Sequence, residues 1–222
     1  MSEIKAVVYD FGGVLLSYDN VEGKWQKMSK ALGLDPKIMH QEAVGTEFSK
    51  WLGPERSLFL GTLCVDELES GIFVDYLKQK YGSLINENVQ VRPYSVCLRD
   101  PKFHQNMCRT VEVLHNKGFK TAMLTNNMYL DQAHLEPRLP MDLSHFDEVV
   151  ESCLEKLMKP DLEFYRLVEK RLGVSGAQLV FLDDLEENLE AARKLGWRTI
   201  KVTADVRSAI EELRNITGVD FD

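Results

Sequence analysis

Short apolar runs bounded by polar or turn-forming residues recur at 4–9, 119–124, 179–182 and 199–202. Each has the length and the aliphatic or aromatic content of a strand buried on both faces. Elsewhere the period changes to that of a helix. Leu162, Tyr165, Val168 and Leu172 fall on one stripe, Leu185, Leu189, Ala192 and Leu195 on another, and the stretch 102–117 runs up to Gly118, a residue suited to the position just past a helix end. Strands alternating with amphipathic helices predict an α/β fold, a doubly wound parallel sheet of Rossmann-like type. The interval 17–94 breaks that rhythm: it has helix-like stretches at 25–32 and 65–81, punctuation at Gly33, Gly53-Pro54, Gly61 and Gly82, and no pattern of a buried strand. With Arg92-Pro93 as the return crossing, it predicts an inserted all-helical domain over 17–94, carried by an α/β core made of 1–16 and 95–222.

Length and charge narrow the function. A chain of 222 residues that is 44% hydrophobic can bury one substantial core and a smaller insertion. Its 27 Lys and Arg against 35 Asp and Glu give a net charge of −8, which opposes nonspecific attraction to nucleic acid or an anionic membrane. A nucleic-acid partner is therefore not expected. No apolar run approaches the ~18 residues of a membrane span, so no membrane insertion is expected either. Glu3 and Lys5 precede a first strand too short for a signal segment, which makes the expected location cytoplasmic. Cys64, Cys97, Cys108 and Cys153 have no metal-binding spacing and read as reduced thiols. Trp25, Phe48 and Trp51 suit the small core of a helical insertion better than the lining of a pocket.

Ligands of open parallel sheets bind outside the carboxyl ends of the strands, so the polar residues found there are the candidates for chemistry. Asp10 follows the first run and is itself followed by Gly12-Gly13, which let a ligand approach the backbone closely. Thr125-Asn126-Asn127 follows the second run with a hydroxyl, amides and backbone N–H groups. Asp183-Asp184 ends the third, two adjacent carboxylates that repel one another unless a cation is shared between them. Lys159, ahead of Pro160-Asp161 at a helix start, offers a fixed positive charge. Each of these has an ordinary alternative: Asp10, Thr125 and Asn126 as turn residues, Lys159 as a solvated side chain, Asp184 as the N-cap of 185–195. Three of them standing at strand ends of one sheet, together with Lys159 at a helix start, argues for a site. A Walker loop, a dinucleotide glycine fingerprint and a Gly-x-Ser-x-Gly elbow are absent.

In this order the motifs resemble those of the haloacid dehalogenase superfamily: Asp10-Phe11-Gly12-Gly13-Val14, Thr125-Asn126, Lys159-Pro160 and Asp183-Asp184. The stretch 118–202, with Phe181-Leu182-Asp183-Asp184 and Asn188, is similar to the N-terminal phosphatase domain of soluble epoxide hydrolases. The resemblance implies a Mg²⁺-dependent phosphatase acting on a small or lipid-like phosphomonoester. Asp10 would attack phosphorus and become an aspartyl-phosphate that water then hydrolyses. Asp10, the Gly12 carbonyl and Asp184 would hold Mg²⁺, with Asp183 reaching it through water. Thr125 and the Asn126 amide would bind phosphate oxygens while Lys159 offsets the developing charge, and the helical cap would close over the site and choose the substrate.

One position departs from the family pattern. Where these phosphatases usually carry a second aspartate, the general acid and base, this chain has Gly12. Two further readings follow: a catalytically impaired module that binds phosphate or a partner, and a hydrolase of dehalogenase type. The Asp183-Asp184 pair weighs against the second, whose reaction needs no metal.

Overall fold

The computed structural model describes residues 3–221 apart from positions 20, 45, 54, 83, 84, 87–90, 99 and 137. Pro54 and the side chain of Cys97 thus lie outside the described set. In chain order the elements are β1 (Ala6–Tyr9), β2 (Leu16–Ser17), α1 (Val21–Leu32), α2 (Pro36–Val44), α3 (Thr46–Leu52), α4 (Val65–Glu67), a π-helical turn (Leu68–Ile72), α5 (Phe73–Tyr81), α6 (Ser95–Leu98), β3 (Lys102–Phe103), α7 (Gln105–Asn116), β4 (Lys120–Thr125), β5 (Glu148–Glu151), α8 (Ser152–Glu155), α9 (Leu162–Leu172), β6 (Leu179–Asp183), α10 (Glu186–Lys194), β7 (Arg198–Lys201) and α11 (Arg207–Thr217). They fall into two compact units, one of Met1–Ser17, Lys102–Asn126 and Met141–Asp222, the other of Tyr18–Pro101 and Asn127–Pro140.

The first unit is a five-stranded parallel sheet in the order β5-β4-β1-β6-β7. Alternation along β1 shows how it is covered. Ala6 and Val8 join the cluster of Phe164, Tyr165, Val168 and Leu172 from α9 with Leu189 and Ala192 from α10. Tyr9 has the opposite parity, and its hydroxyl meets Thr110 of α7 at 2.9 Å. Helices therefore pack on both faces, as expected for a doubly wound sheet. The first of these faces is closed by edge-on ring contacts among Tyr165, Phe181 and Trp197, with centroids 5.5 to 6.0 Å apart. A fully buried side chain of this kind contributes about 1.5–3 kcal/mol.

Several boundaries differ from the sequence pattern. β5 is an additional strand, carried by only two apolar residues between glutamates. The helix expected over 102–117 starts at Gln105, because Lys102 and Phe103 pair antiparallel with Ser17 and Leu16 and the His104 N–H donates to the Leu15 carbonyl at 2.9 Å. Asp184 is not a helix cap: α10 begins at Glu186 with Leu185 as its N-cap, which also leaves Leu185 49% exposed instead of in the apolar stripe. α9 starts as its sequence suggests, Asp161 accepting the Glu163 N–H at 3.0 Å, and ends on Gly173 in the left-handed region.

The second unit is helical throughout its described regular elements. It takes in 95–101 and 127–140, where the sequence pattern points to core, and the N–H groups of Val65 and Asp66 donate to the carbonyls of Tyr129 and Leu130, both at 2.9 Å. Trp25 and Phe48 are buried. Trp51 differs: it is 37% exposed and lines, with Tyr76, Lys50 and Lys80, an open cavity of about 400 Å³. Inside this unit Glu42 is buried and accepts hydrogen bonds from the Tyr76 hydroxyl, the Tyr81 hydroxyl at 2.6 Å and Lys80 at 2.9 Å. Cys64 and Cys153 are buried and, like the half-buried Cys108, outside any disulfide. Among the described residues no helix is long and apolar enough to cross a membrane.

Candidate active site

Sheet register sets the first two carboxylates. Tyr9 lies opposite Met123 of β4 and Leu182 of β6, so Asp10 emerges level with Asp183, and Thr125 stands one step beyond that level. The Asp10 N–H continues the ladder to the Leu182 carbonyl at 2.9 Å. The chain then turns tightly: the N–H groups of Leu15 and Leu16 both donate to the Phe11 carbonyl, and the Gly13 N–H donates to the Leu16 carbonyl at 2.9 Å. None of these bonds uses the Gly12 carbonyl.

Lys159 arrives from the loop ahead of α9. A lysine in such a loop is ordinarily solvated, yet this one is only 2% exposed. Its ammonium sits between Asp10 Oδ1 at 2.8 Å and Asp183 Oδ2 at 2.7 Å, and those two counter-charges make its burial tolerable. At its other end the Lys159 N–H donates to Asn126 Oδ1 at 2.8 Å, and Asn126 Nδ2 donates to the Lys159 carbonyl at 3.0 Å. The Asn126 side chain is thus committed to protein backbone. Thr125 is buried at the end of β4.

Asp183 is fully buried and saturated. Oδ1 accepts the Leu185 N–H at 2.7 Å, Oδ2 accepts Lys159, and Asn188 Nδ2 lies 3.0 Å from both oxygens. A carboxylate offers about four acceptor positions, so a metal-bound water would have to displace one of these donors. Asn188 enters the site from the first turn of α10, close after the aspartate pair; in the sequence it stands out only as part of the resemblance over 118–202.

Asp10, Asp183 and Asp184 each bring an oxygen within 4.8 Å of the others. Three carboxylates against one ammonium leave two negative charges uncompensated. Their cost is visible in the ionisation of the group. Burial pushes the Asp10 carboxyl up to about 7, with Lys159 opposing and Asp183 adding to the rise. Burial, then the charge of Asp183, raises Asp184. For Lys159 burial works downward, but Asp10 and Asp183 outweigh it and hold the ammonium charged. Hard oxygen donors with two uncompensated charges fit a divalent cation of the Mg²⁺ or Ca²⁺ type.

Gly13 also makes room for a side chain of the protein itself. Gly13 has φ +72°, and a Cβ there would lie 2.3 Å from Asp184 Oδ2. The group that approaches this backbone is the protein's own carboxylate. Gly13→Ala is expected to lose about 1–3 kcal/mol in urea unfolding from the left-handed backbone alone, plus a further loss from displacing Asp184. Gly173→Ala, at φ +67° with nothing within 4 Å of its Cβ, isolates the backbone part; equal losses in the two variants would mean that Asp184 simply swings aside.

A family model described as a haloacid dehalogenase-like hydrolase matches residues 4–196. Bifunctional epoxide hydrolase 2 of Mus musculus is 30% identical over 225 residues, 98% of this chain but 40% of its own length; the chain spans two fifths or less of the first relatives it matches. A sesquiterpene phosphatase of Aspergillus oryzae is 31% identical over 215 residues, 96% of this chain and 97% of its own length. Among solved structures, a haloacid dehalogenase family enzyme of Bacteroides thetaiotaomicron in complex with magnesium and inorganic phosphate superposes with a TM-score of 0.59 at 18% identity, covering 91% of this chain and 96% of that one.

Proposed function

This chain belongs to the haloacid dehalogenase-like hydrolase family, and from that premise we propose that it is a Mg²⁺-dependent phosphatase that hydrolyses a small or lipid-like phosphomonoester through an aspartyl-phosphate on Asp10. The observation that carries the reading is the buried charge arrangement: a carboxylate at the end of the central strand, pinned by an ammonium at 2.8 Å, beside two further carboxylates. Asp10, the Gly12 carbonyl and Asp184 would hold the cation, which when bound would neutralise phosphate charge and draw the substrate toward Asp10.

The remaining chemistry belongs to side chains of this protein. An Asp10 oxygen attacks phosphorus as the ester oxygen departs, and water then attacks the same phosphorus, releasing phosphate and freeing the carboxylate. Lys159, charged throughout, offsets the negative charge that builds on the phosphoryl oxygens, and Thr125 with the Asn126 N–H holds two of those oxygens. With Gly12 where the family has an acid, the departing oxygen takes its proton from water, which favours esters of acidic alcohols and phenols. An apolar leaving group is supported by the sesquiterpene phosphatase relative and by Leu185, half exposed directly after Asp184. We assign substrate choice to the helical unit, as its cap.

The test is Mg²⁺-dependent phosphate release from an aryl and a long-chain alkyl phosphomonoester, with and without chelator. Release that ignores the chelator would sink the metal assignment. A second reading, a module that binds phosphate without turning it over, draws on Gly12; it expects phosphate binding with neither ester cleaved. Chloride release from a haloacid, unaffected by chelator, would point instead to dehalogenase chemistry.

The acidity of Asp10 gives an independent check. Its folded-state value near 7 lies above the ordinary carboxylate range, so its contribution to stability is complete at low pH and is lost as pH rises from about 4 to about 7. Mg²⁺ needs the ionised form, so its binding works in the opposite direction. The Mg²⁺-induced rise in Tm is expected to be larger at pH 7.5 than at pH 5.5, with protons released on binding at the lower pH. A rise that is equal at both would remove Asp10 from the metal site.

A further inference from the structure

We infer that Asn126 and Asn188 are a pair of positioning residues that brace Lys159 at its two ends and so fix its ammonium against Asp10, an inference that rests on the phosphatase reading above. A lysine side chain is a flexible four-carbon stem, and its charge stabilises a transition state only if it is already in place. Here both ends are held by an amide. Asn126 engages the two backbone polar groups of Lys159 at once, accepting its N–H at 2.8 Å and donating to its carbonyl at 3.0 Å. That pair of bonds ties the loop after β4 to the loop before α9.

The ammonium end is held through an intermediary. Asp183 receives Lys159 at 2.7 Å and cannot rotate away, because Asn188 Nδ2 lies 3.0 Å from each of its oxygens and the Leu185 N–H fixes Oδ1 at 2.7 Å. Asn188 is anchored in turn: the Tyr165 hydroxyl donates to its carbonyl at 2.9 Å, and the Tyr165 ring packs edge-on against Phe181 and Trp197. The brace thus runs from Lys159 into the rigid core. An amide suits position 188 because it donates without adding charge; a carboxylate there would face Asp183 at hydrogen-bond distance in a site that already carries two uncompensated charges. Asn126 and Asn188 touch Lys159 and its holder, so their effect on turnover passes through Lys159.

The test uses Asn126→Ala, Asn126→Asp and Asn188→Ala in the full chain, alone and each combined with Lys159→Met. Two quantities are measured: Mg²⁺-dependent hydrolysis of an aryl phosphate, and the rate at which acetic anhydride labels Lys159 in metal-free protein, read by mass spectrometry. Each single variant is expected to lower kcat about 10- to 100-fold with KM within about 2-fold, and to label Lys159 several times faster. In the Lys159→Met background none should cause a further loss. A variant that leaves kcat and labelling unchanged, or that lowers kcat as much without Lys159 as with it, overturns the brace. Asn126→Asp, isosteric and retaining the bond from the Lys159 N–H, covers the case in which Asn126→Ala fails to fold, and Asn188→Ser, polar but too short to reach Asp183, measured in the same way, covers failure of Asn188→Ala. If the unaltered protein cleaves no phosphoester, or if Lys159→Met leaves no measurable rate, the labelling result decides alone. Failure of the phosphatase reading and failure of the brace are therefore separate outcomes.

Discussion

Asp10→Asn is expected to abolish phosphate release, lowering it by at least about 10⁴-fold, a scale comparable to removing a nucleophile from other covalent hydrolases. An amide oxygen is a poor nucleophile, and the substitution also removes one of the three clustered carboxylates. Folding should survive, because the amide is isosteric and its oxygen can still accept from Lys159 and from the Phe11 N–H, which now donates to Asp10 Oδ1 at 2.7 Å. The sign of the stability change can be derived. Above about pH 7 the native carboxylate is ionised in a buried site that disfavours its charge, so in metal-free protein at pH 8 the neutral isostere should melt at an equal or higher temperature. Phosphate release by the purified variant, with melting curves as a folding control, checks both. Activity above about 1% of the parent would take Asp10 out of the mechanism.

Gly12→Asp is expected to act in the other direction. General acid–base catalysis typically contributes about 10²–10⁴-fold, and most of that should appear with alkyl esters, whose leaving oxygen needs a proton, and little with nitrophenyl esters, whose oxygen does not. Gly12, unlike Gly13, does not lie in the left-handed region, so the backbone can carry a side chain there. The informative measurement is the dependence of rate on leaving-group acidity: the parent should show a steep dependence, the variant a shallow one. Unchanged rates with both esters, together with retained phosphate binding, would favour the module that binds without turning over.

The aspartates and the sheet were readable in advance for a shared physical reason. A parallel strand buried on both faces is a near-continuous apolar run, and the polar residue that ends it has nowhere to be but the carboxyl edge. Asp10, Thr125 and Asp183 are all of this kind. β5 was not readable, because two valines between glutamates do not make a run; it needs β4 beside it to be a strand at all. Lys159 was readable as a charge but not as a buried one, since its burial depends on two carboxylates 149 and 24 residues away in sequence. The clamp from Asn126 depends on two loops meeting in space, and an asparagine in a turn carries no mark of such a partner; the contact of Asn188 with Asp183 is local, closed where the strand passes into the helix. Gly13 was legible as a close-approach position, but the sequence does not show that the Asp184 carboxylate is among the groups that come against it.

The strand order has a consequence for how the protein acquires its activity. β1 lies at the centre of the sheet between β4 and β6, so the segment that carries Asp10 is synthesised before either of its neighbours and pairs with them across separations of 114 and 173 residues. Such non-local pairing is slow and leaves the apolar strand exposed until the later segments arrive. A nascent chain halted before residue 179 holds Asp10 but neither the aspartate pair nor the strand that flanks β1 on that side. It should therefore depend on chaperones that shield apolar segments, and the proposed phosphate site should form only once β6 and the aspartate pair that ends it have been made.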